Sequence, residues 1–296
     1  MLTYPQAILL GLLQGVTELF PVSSLGHSVL LPALLGWNDV VAAQSASESY
    51  WLAFLVGLHV ATSLALLFYY RATWVRLIAA LLRTLRTRRV ETPDERLIWL
   101  LAIATVPAGL VGLLAEHALR VLFATPLAAS LFLVGNGILL LVGEATRRRG
   151  IARRVVAAHA RTAGGDRRLD TLDVREAIAV GVAQVLALLP GFSRSGVTMV
   201  AGLVRGLDHE DAARFSFLLA TPIIMAAGLY KLPDLLGHNG DGVRLEVLAG
   251  SVAAAVAAYL SVRFLARYFR ANTLLPFAAY SLVAGTLLAV RFALGG

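Results

Sequence analysis

The sequence predicts an all-α polytopic membrane protein: six transmembrane helices plus two re-entrant helical hairpins, arranged as an inverted-topology repeat. Three observations predict it. Apolar residues gather in blocks of roughly 18–22, the length at which a helix crosses a hydrocarbon core about 30 Å thick. Two further apolar blocks are interrupted by Pro/Gly/Ser clusters. The arginines fall in alternate connections between blocks. Composition agrees: 58% of the 296 residues are hydrophobic and mean hydropathy is +0.75, against about 45–50% apolar in soluble domains. No ten-residue alternating pattern appears, which argues against a β-barrel and leaves helices to satisfy the backbone in lipid.

The full spans read as roughly 50–70, 97–118, 126–146, 213–230, 246–263 and 274–292. The broken blocks are 5–35, interrupted at Pro21-Val22-Ser23-Ser24-Leu25-Gly26, and 174–206, interrupted at Pro190-Gly191-Phe192-Ser193-Arg194-Ser195-Gly196. Proline and glycine this close together end a helix, and each remaining half is too short to cross. Re-entrant hairpins are the expected result. The N-terminal segment does not read as a cleaved signal, because it lacks a basic start and Pro5, Gln14 and Glu18 interrupt it.

The net charge of +8 is almost all arginine, with Lys231 the only lysine. It is not laid out as a basic stripe with interleaved aromatics, so nucleic-acid binding is excluded. Residues 71–96 carry Arg71, Arg76, Arg83, Arg86, Arg88, Arg89 and Arg96, and the 147–175 stretch carries nine more arginines. With Arg263, Arg267 and Arg270 these mark cytoplasmic connections. Residues 36–49 hold Asp39 and Glu48 without Lys or Arg, and 231–246 is mixed, so both are expected outside. Six spans then place both termini on the outer face, in a cytoplasmic membrane. The absence of cysteine excludes disulfides, thiol catalysis and Cys-ligated zinc.

One membrane domain, 1–296, therefore divides into a first repeat, 1–146, an arginine-rich cytoplasmic linker, 147–173, expected as a loop or a surface-lying helix, and an inverted second repeat, 174–296. Gly11-Leu12-Leu13-Gln14 matches Gly181-Val182-Ala183-Gln184, and Pro21 with Ser24 matches Pro190 with Ser193. The copies then diverge. Glu18 has Leu188 as its counterpart, and Leu25 has Arg194. Function in such repeats sits near the midplane, where the broken segments meet.

Ionisable groups inside a membrane are costly and mark function. Glu18, His27 and Arg194 are the three singled out here. Gly11, Gln14, Gly15 and Glu18 share one helix face, at i, i+3, i+4 and i+7, with the glycines admitting a close neighbour. Glu18 can hold a divalent metal or take a proton; Gln14 can orient or coordinate. Ser23 or Ser24 caps the half-helix that follows or contacts an anion at its N-terminus. His27 can act as acid, nucleophile or structural donor. In the second break, Arg194 suits bidentate phosphate binding, Gly191 and Gly196 let backbone N–H groups approach an anion, and Ser193, Ser195 and Thr198 can donate to it. Together these residues point to phosphoryl transfer on an anionic ligand at membrane depth. A lipid flippase or secondary transporter is the alternative, since broken helices in inverted repeats also serve transport. A scaffolding subunit is a weaker one.

The motifs Gln14-Gly15-Val16-Thr17-Glu18, Pro21-Val22-Ser23-Ser24-Leu25-Gly26-His27, Pro190-Gly191-Phe192-Ser193-Arg194-Ser195-Gly196 and Ala213-Arg214-Phe215-Ser216-Phe217-Leu218-Leu219 resemble those of the undecaprenyl-diphosphate phosphatases, also called bacitracin-resistance proteins. The resemblance spans essentially the whole chain. It implies removal of the terminal phosphate of undecaprenyl diphosphate with a divalent cation, Mg2+ or Ca2+. This would recycle the lipid carrier for peptidoglycan synthesis at the outer side of the membrane. It assigns Glu18 and Gln14 to the metal, Ser24 and His27 to catalysis and Arg194 to phosphate. The implied partners are the polyprenyl diphosphate and the lipid bilayer, with a homodimer left open. Two positions depart from the family pattern: Gln14 replaces one carboxylate of a metal-binding pair, and Leu25 stands where a threonine is common.

Overall fold

The computed structural model describes residues 2–45, 50–115, 125–158, 169–237 and 242–295. Among them the chain is helical throughout, with no extended strand. The helices are α1 (Tyr4–Thr17), α2 (Ser24–Leu34), α3 (Asn38–Ser45), α4 (Tyr50–Tyr69), α5 (Arg71–Thr87), α6 (Pro93–Leu114), α7 (Pro126–Ala158), α8 (Val174–Ala183), α9 (Arg194–Val204), α10 (His209–Leu236), α11 (Arg244–Tyr268) and α12 (Leu275–Leu294).

Local sequence explains many of the helix starts. Thr3 and Gln6 form a capping box before α1, with Pro5 in its first turn. Thr92 with Glu95 does the same for α6, and Asp173 with Glu176 for α8. Both broken blocks are broken where expected. α1 stops at Thr17 and α2 begins at Ser24; α8 tightens into a 3-10 turn over Gln184–Leu188 before α9 begins at Arg194.

Five helices among the described residues are long and apolar enough to cross a membrane: α6, α7, α10, α11 and α12. The sixth predicted block is α4, which bends by 86° into α5. The surface is the reverse of a soluble protein's. On α11, Leu245, Leu248, Val252, Val256, Leu260 and Phe264 are exposed, while Gly250, Ala254, Ala258 and Ser261 are buried. Large apolar residues face outward and small ones face the protein, as in a bundle solvated by lipid. The chain is a multi-pass membrane protein.

Two connections differ from the sequence reading. Residues 71–87, read from their arginines as a cytoplasmic connection, form α5. Its inner face buries Trp74, Leu77, Ala80 and Thr84, while Val75, Ile78, Leu82 and Leu85 are exposed. Arg76 pairs with Asp94 at 3.3 Å, and Arg83 with Glu95, which fastens α5 to the start of α6. A helix apolar outside and arginine-flanked has the composition of one that lies in a membrane interface. The expected linker, 147–173, begins as an unbroken continuation of α7 to Ala158, because nothing in Arg147–Arg149 breaks a helix. The part of the linker at 159–168 lies outside the described residues.

Close helix contact relies on small residues. A Cβ on Gly15 would stand 2.7 Å from Ala257 Cβ and 2.8 Å from Ala258 N. This seats α1 directly on α11, with Gln14 and Glu18 carried along the same face. At the other end of the bundle, the buried Glu144 of α7 accepts from His209 Nε2 at 2.6 Å and from Leu274 N at 2.7 Å, which ties together the starts of α10 and α12. Gly15→Leu is expected to force α1 away from α11 and to cost about 1–3 kcal/mol, read as a lower thermal midpoint in detergent. An unchanged midpoint would show that the two helices do not meet there.

Candidate active site

The two breaks face each other. Glu18 lies just beyond the last turn of α1 and Arg194 opens α9, so the ends of two half-helices 176 residues apart in sequence bring opposite charges together. Arg194 Nη2 and Nε donate to Glu18 Oε1 at 3.0 and 3.3 Å. The side chains are 12% and 6% exposed. Arg194 Nη1 also donates to the Ser216 carbonyl of α10 at 3.1 Å. A guanidinium has five N–H donors in a fixed fork, so donors remain for an anion.

The other carboxylate oxygen of Glu18 is a second junction. It accepts from Ser24 Oγ at 2.6 Å and from Gln14 Nε2 at 3.1 Å. Ser24 is the first residue of α2, so its hydroxyl lies at a helix N-terminus and against a carboxylate. That arrangement positions a nucleophile beside a base. Gln14 Oε1 is buried and has no hydrogen-bond partner. A carboxylate and an amide oxygen are ligands of the kind a divalent cation takes, but the amide nitrogen is the atom that faces Glu18 here, and among the described residues no group of three or more His, Cys, Asp or Glu gathers.

The backbone at the breaks is held by side chains. Ser23 adopts φ +72°, unusual for a residue with a side chain. Its hydroxyl accepts from Gly26 N, capping α2, and from Gly191 N in the opposite break, both at 3.1 Å. A Cβ on Gly26 would lie 2.9 Å from Gly191 Cα, and Gly191 itself sits at φ +117°. The two turns therefore meet glycine to glycine. In the second break, Ser193 caps α9 through Gly196 N at 3.1 Å, and its hydroxyl lies 3.0 Å from that of Ser195. Ser195 Oγ reaches the Phe20 carbonyl at 3.3 Å, and Thr198 Oγ1 lies 2.6 Å from Ser216 Oγ. Of these three hydroxyls only that of Ser195 reaches the opposite break; Ser193 caps its own helix and Thr198 ties α9 to α10.

His27 is engaged elsewhere. Its Nδ1 donates to the Ser23 carbonyl at 2.7 Å, and its Nε2 meets the Tyr280 hydroxyl of α12 at 2.7 Å, with the rings stacked at 14°. Since a carbonyl only accepts, Nδ1 carries a proton, and Nε2 shares a hydrogen bond with the Tyr280 hydroxyl.

A protein-family model described as "Bacitracin resistance protein BacA" matches residues 7–287. The chain belongs to the BacA family. Among curated relatives, "Undecaprenyl-diphosphatase 2" of Frankia alni is 53% identical over 99% of both chains. "Undecaprenyl-diphosphatase" of Mycolicibacterium paratuberculosis is 54% identical over 96% of this chain and 95% of its own. "Undecaprenyl-diphosphatase 2" of Burkholderia thailandensis is 47% identical over 94% and 93%.

This BacA-family site contains three residues that sequence reasoning missed. His59 of α4 places Nε2 3.6 Å from Glu18 Oε2. An ionisable residue in the middle of an apolar block is the signal that should have singled it out. Asn136 of α7 staples both breaks: its Nδ2 donates to the Pro21 carbonyl at 2.9 Å and its Oδ1 accepts from Ser193 N at 3.0 Å. A polar residue between glycines at 135 and 137 was the only hint. Tyr280 gave none, because tyrosine is ordinary near a membrane interface.

Removing one member of a buried ion pair leaves an unpaired charge and costs about 3–5 kcal/mol. Glu18→Gln and Arg194→Gln should each lower the thermal midpoint of the purified protein. The double variant should lose clearly less than the sum of the two. Additive losses would mean that the side chains do not interact.

Proposed function

We propose that this protein hydrolyses undecaprenyl diphosphate to the monophosphate and inorganic phosphate, which returns the lipid carrier to peptidoglycan synthesis and confers bacitracin resistance. The observation that carries the reading is the meeting of Arg194, Glu18 and Ser24 at one buried point between two half-helix termini, in a chain whose relatives bear the diphosphatase name across nearly their full length. Those names speak of hydrolysis, and translocation is not needed to explain the site.

The residues divide the work as follows. Arg194 and the N–H groups opening α2 and α9 hold the terminal phosphate of the substrate. Ser24 Oγ attacks that phosphorus while its proton passes to Glu18 Oε2, the oxygen it already touches at 2.6 Å. The bond from phosphorus to the bridging oxygen breaks and the lipid monophosphate leaves. Glu18 gives its proton to the leaving monophosphate. Water then attacks the phosphoserine and loses a proton to Glu18, the bond from phosphorus to Ser24 Oγ breaks, Glu18 returns that proton to Ser24 Oγ, and inorganic phosphate departs. Glu18 and Gln14 would hold a divalent cation, which when bound would supply charge neutralisation to the phosphate. His27, held by the Ser23 carbonyl and Tyr280, fixes the strained turn that presents Ser24.

The inverted-topology repeat belongs to the same proposal, with two re-entrant hairpins, both termini outside and an outward-facing site in a bacterial inner membrane. Two features support it. The matched glycines Gly11 and Gly181 each press against backbone of the second long span of the opposite half, at Gly250 in α11 and Ala104 in α6. The arginines also gather at α5, in the extension of α7 and at the end of α11, on alternate connections.

Purified protein given a long-chain polyprenyl diphosphate is expected to release phosphate. Release should stop with a chelator and fall about 10²–10³-fold or more in Arg194→Ala and Ser24→Ala. No release from folded protein in liposomes supplied with metal would sink the enzyme reading. Near-normal turnover in Ser24→Ala would transfer the attack to water.

A further inference from the structure

Between α5 and the start of α6 lies a cavity of about 570 Å³, with Arg76, Ala79, Ala80, Arg83, Thr92 and Asp94 in its lining. None of these residues belongs to the site at the two breaks. The volume falls in the range of small-molecule sites, about 300–1,000 Å³.

The lining is arranged for an anion. Arg76 Nε donates to Asp94 Oδ2 at 3.3 Å, and its Nη1 reaches the Ala72 carbonyl at 3.5 Å. Arg83 pairs through Nε with the buried Glu95 and donates from Nη2 to Thr92 Oγ1 at 3.0 Å. These contacts hold both side chains in place without exhausting them. A guanidinium has five N–H donors, so each arginine has donors left that take no partner among the described residues. The two stand seven residues apart, two turns along one face of α5. The small side chains of Ala79 and Ala80 leave the space between them open. Positioned guanidinium forks of this kind suit phosphate oxygens.

The surroundings identify which phosphate. Val75, Ile78, Leu82 and Leu85 form an exposed apolar row on the same helix. A free phosphate would use the arginines and leave that row bare, whereas a phospholipid covers both. Residues 71–96 hold seven arginines against Glu91, Asp94 and Glu95, an excess that favours an anionic headgroup over a zwitterionic one. The half-exposed Asp94 carboxylate repels a second negative charge but accepts from a hydroxyl. That combination fits a singly charged phosphodiester carrying a hydroxylated headgroup.

We propose that the cavity between α5 and α6 binds the headgroup of an anionic phospholipid of the phosphatidylglycerol kind. Arg76 and Arg83 donate to its phosphate, Asp94 accepts from its glycerol, and its acyl chains lie along Val75, Ile78 and Leu82. The lipid thereby fastens α5, an amphipathic helix of interfacial composition, to the membrane surface.

The test is native mass spectrometry of the full-length protein, released from detergent with phosphatidylglycerol or phosphatidylcholine added. Wild-type protein should retain phosphatidylglycerol in clear preference. Arg76→Gln, which gives up only a half-exposed pair, should weaken that retention about fivefold, and Arg76→Gln with Arg83→Gln should weaken it further. Arg88→Gln with Arg89→Gln removes the same charge outside the cavity and should change it less than about twofold. Equal retention of the two lipids by the wild type overturns the proposal. So does retention unchanged in Arg76→Gln, or lost equally in the Arg88 and Arg89 control. Displacement of the lipid by millimolar inorganic phosphate would reveal a free-anion site and overturn the lipid assignment. Arg76→Gln decides the matter even where the double variant fails to fold, because Arg83 alone pairs with the buried Glu95.

Discussion

Everything at the centre of this protein depends on one buried ion pair, Glu18 with Arg194. Inside a membrane protein neither charge is tolerable alone, and bringing them together requires two helices to stop short of a full crossing. The breaks at 18–23 and 189–193 do this. The N-termini of α2 and α9 then bring the positive ends of their dipoles and their first N–H groups to the same small volume. The pair is thus a structural requirement of the breaks as well as a chemical resource. The carboxylate holds the arginine with one oxygen, and the other is left for Ser24, Gln14 and His59.

Bringing two turns into contact raises a steric problem, which glycine solves. Gly26 and Gly191 let backbone meet backbone, and the Ser23 hydroxyl bridges the turns by accepting from N–H groups on both sides. The left-handed backbone at Ser23 is the strained element. It persists because its surroundings over-determine it: the Ser23 carbonyl accepts from His27, His27 is braced by Tyr280, and Asn136 holds the Pro21 carbonyl. Strain concentrated where a nucleophile is presented is a recurring property of active sites. Here the residue under strain adjoins the residue that reacts.

The outer shell obeys a different rule. The long helices carry large apolar side chains outward and small residues inward, so packing is decided by close backbone approach and not by burial of bulk. α5 extends that logic to the membrane surface, with apolar residues facing out and arginines beside them, two of these paired to the start of α6. The rigid frame formed by α4, α6, α7, α10, α11 and α12 is what holds the breaks in register.

Local chemistry made much of this legible in the sequence. Block lengths gave the long helices, because a span has a minimum length. The Pro/Gly/Ser clusters located both breaks to within a few residues, because proline and closely spaced glycines end helices whatever surrounds them. Glu18, His27 and Arg194 were singled out because ionisable groups at membrane depth are costly unless used, and Ser24 because it stands at the start of a half-helix. Within the connection at 71–96 the sequence reading named no helix, because its arginines outweighed the period of Trp74, Leu77 and Ala80 that forms the inner face of α5. What it could not contain is pairing across the fold. The approach of His59 to Glu18, of Tyr280 to His27 and of Asn136 to both breaks joins residues 41 to 253 positions apart or carried on separate helices. No local period or motif encodes such distances; only the packing of α4, α7 and α12 around the broken helices decides them.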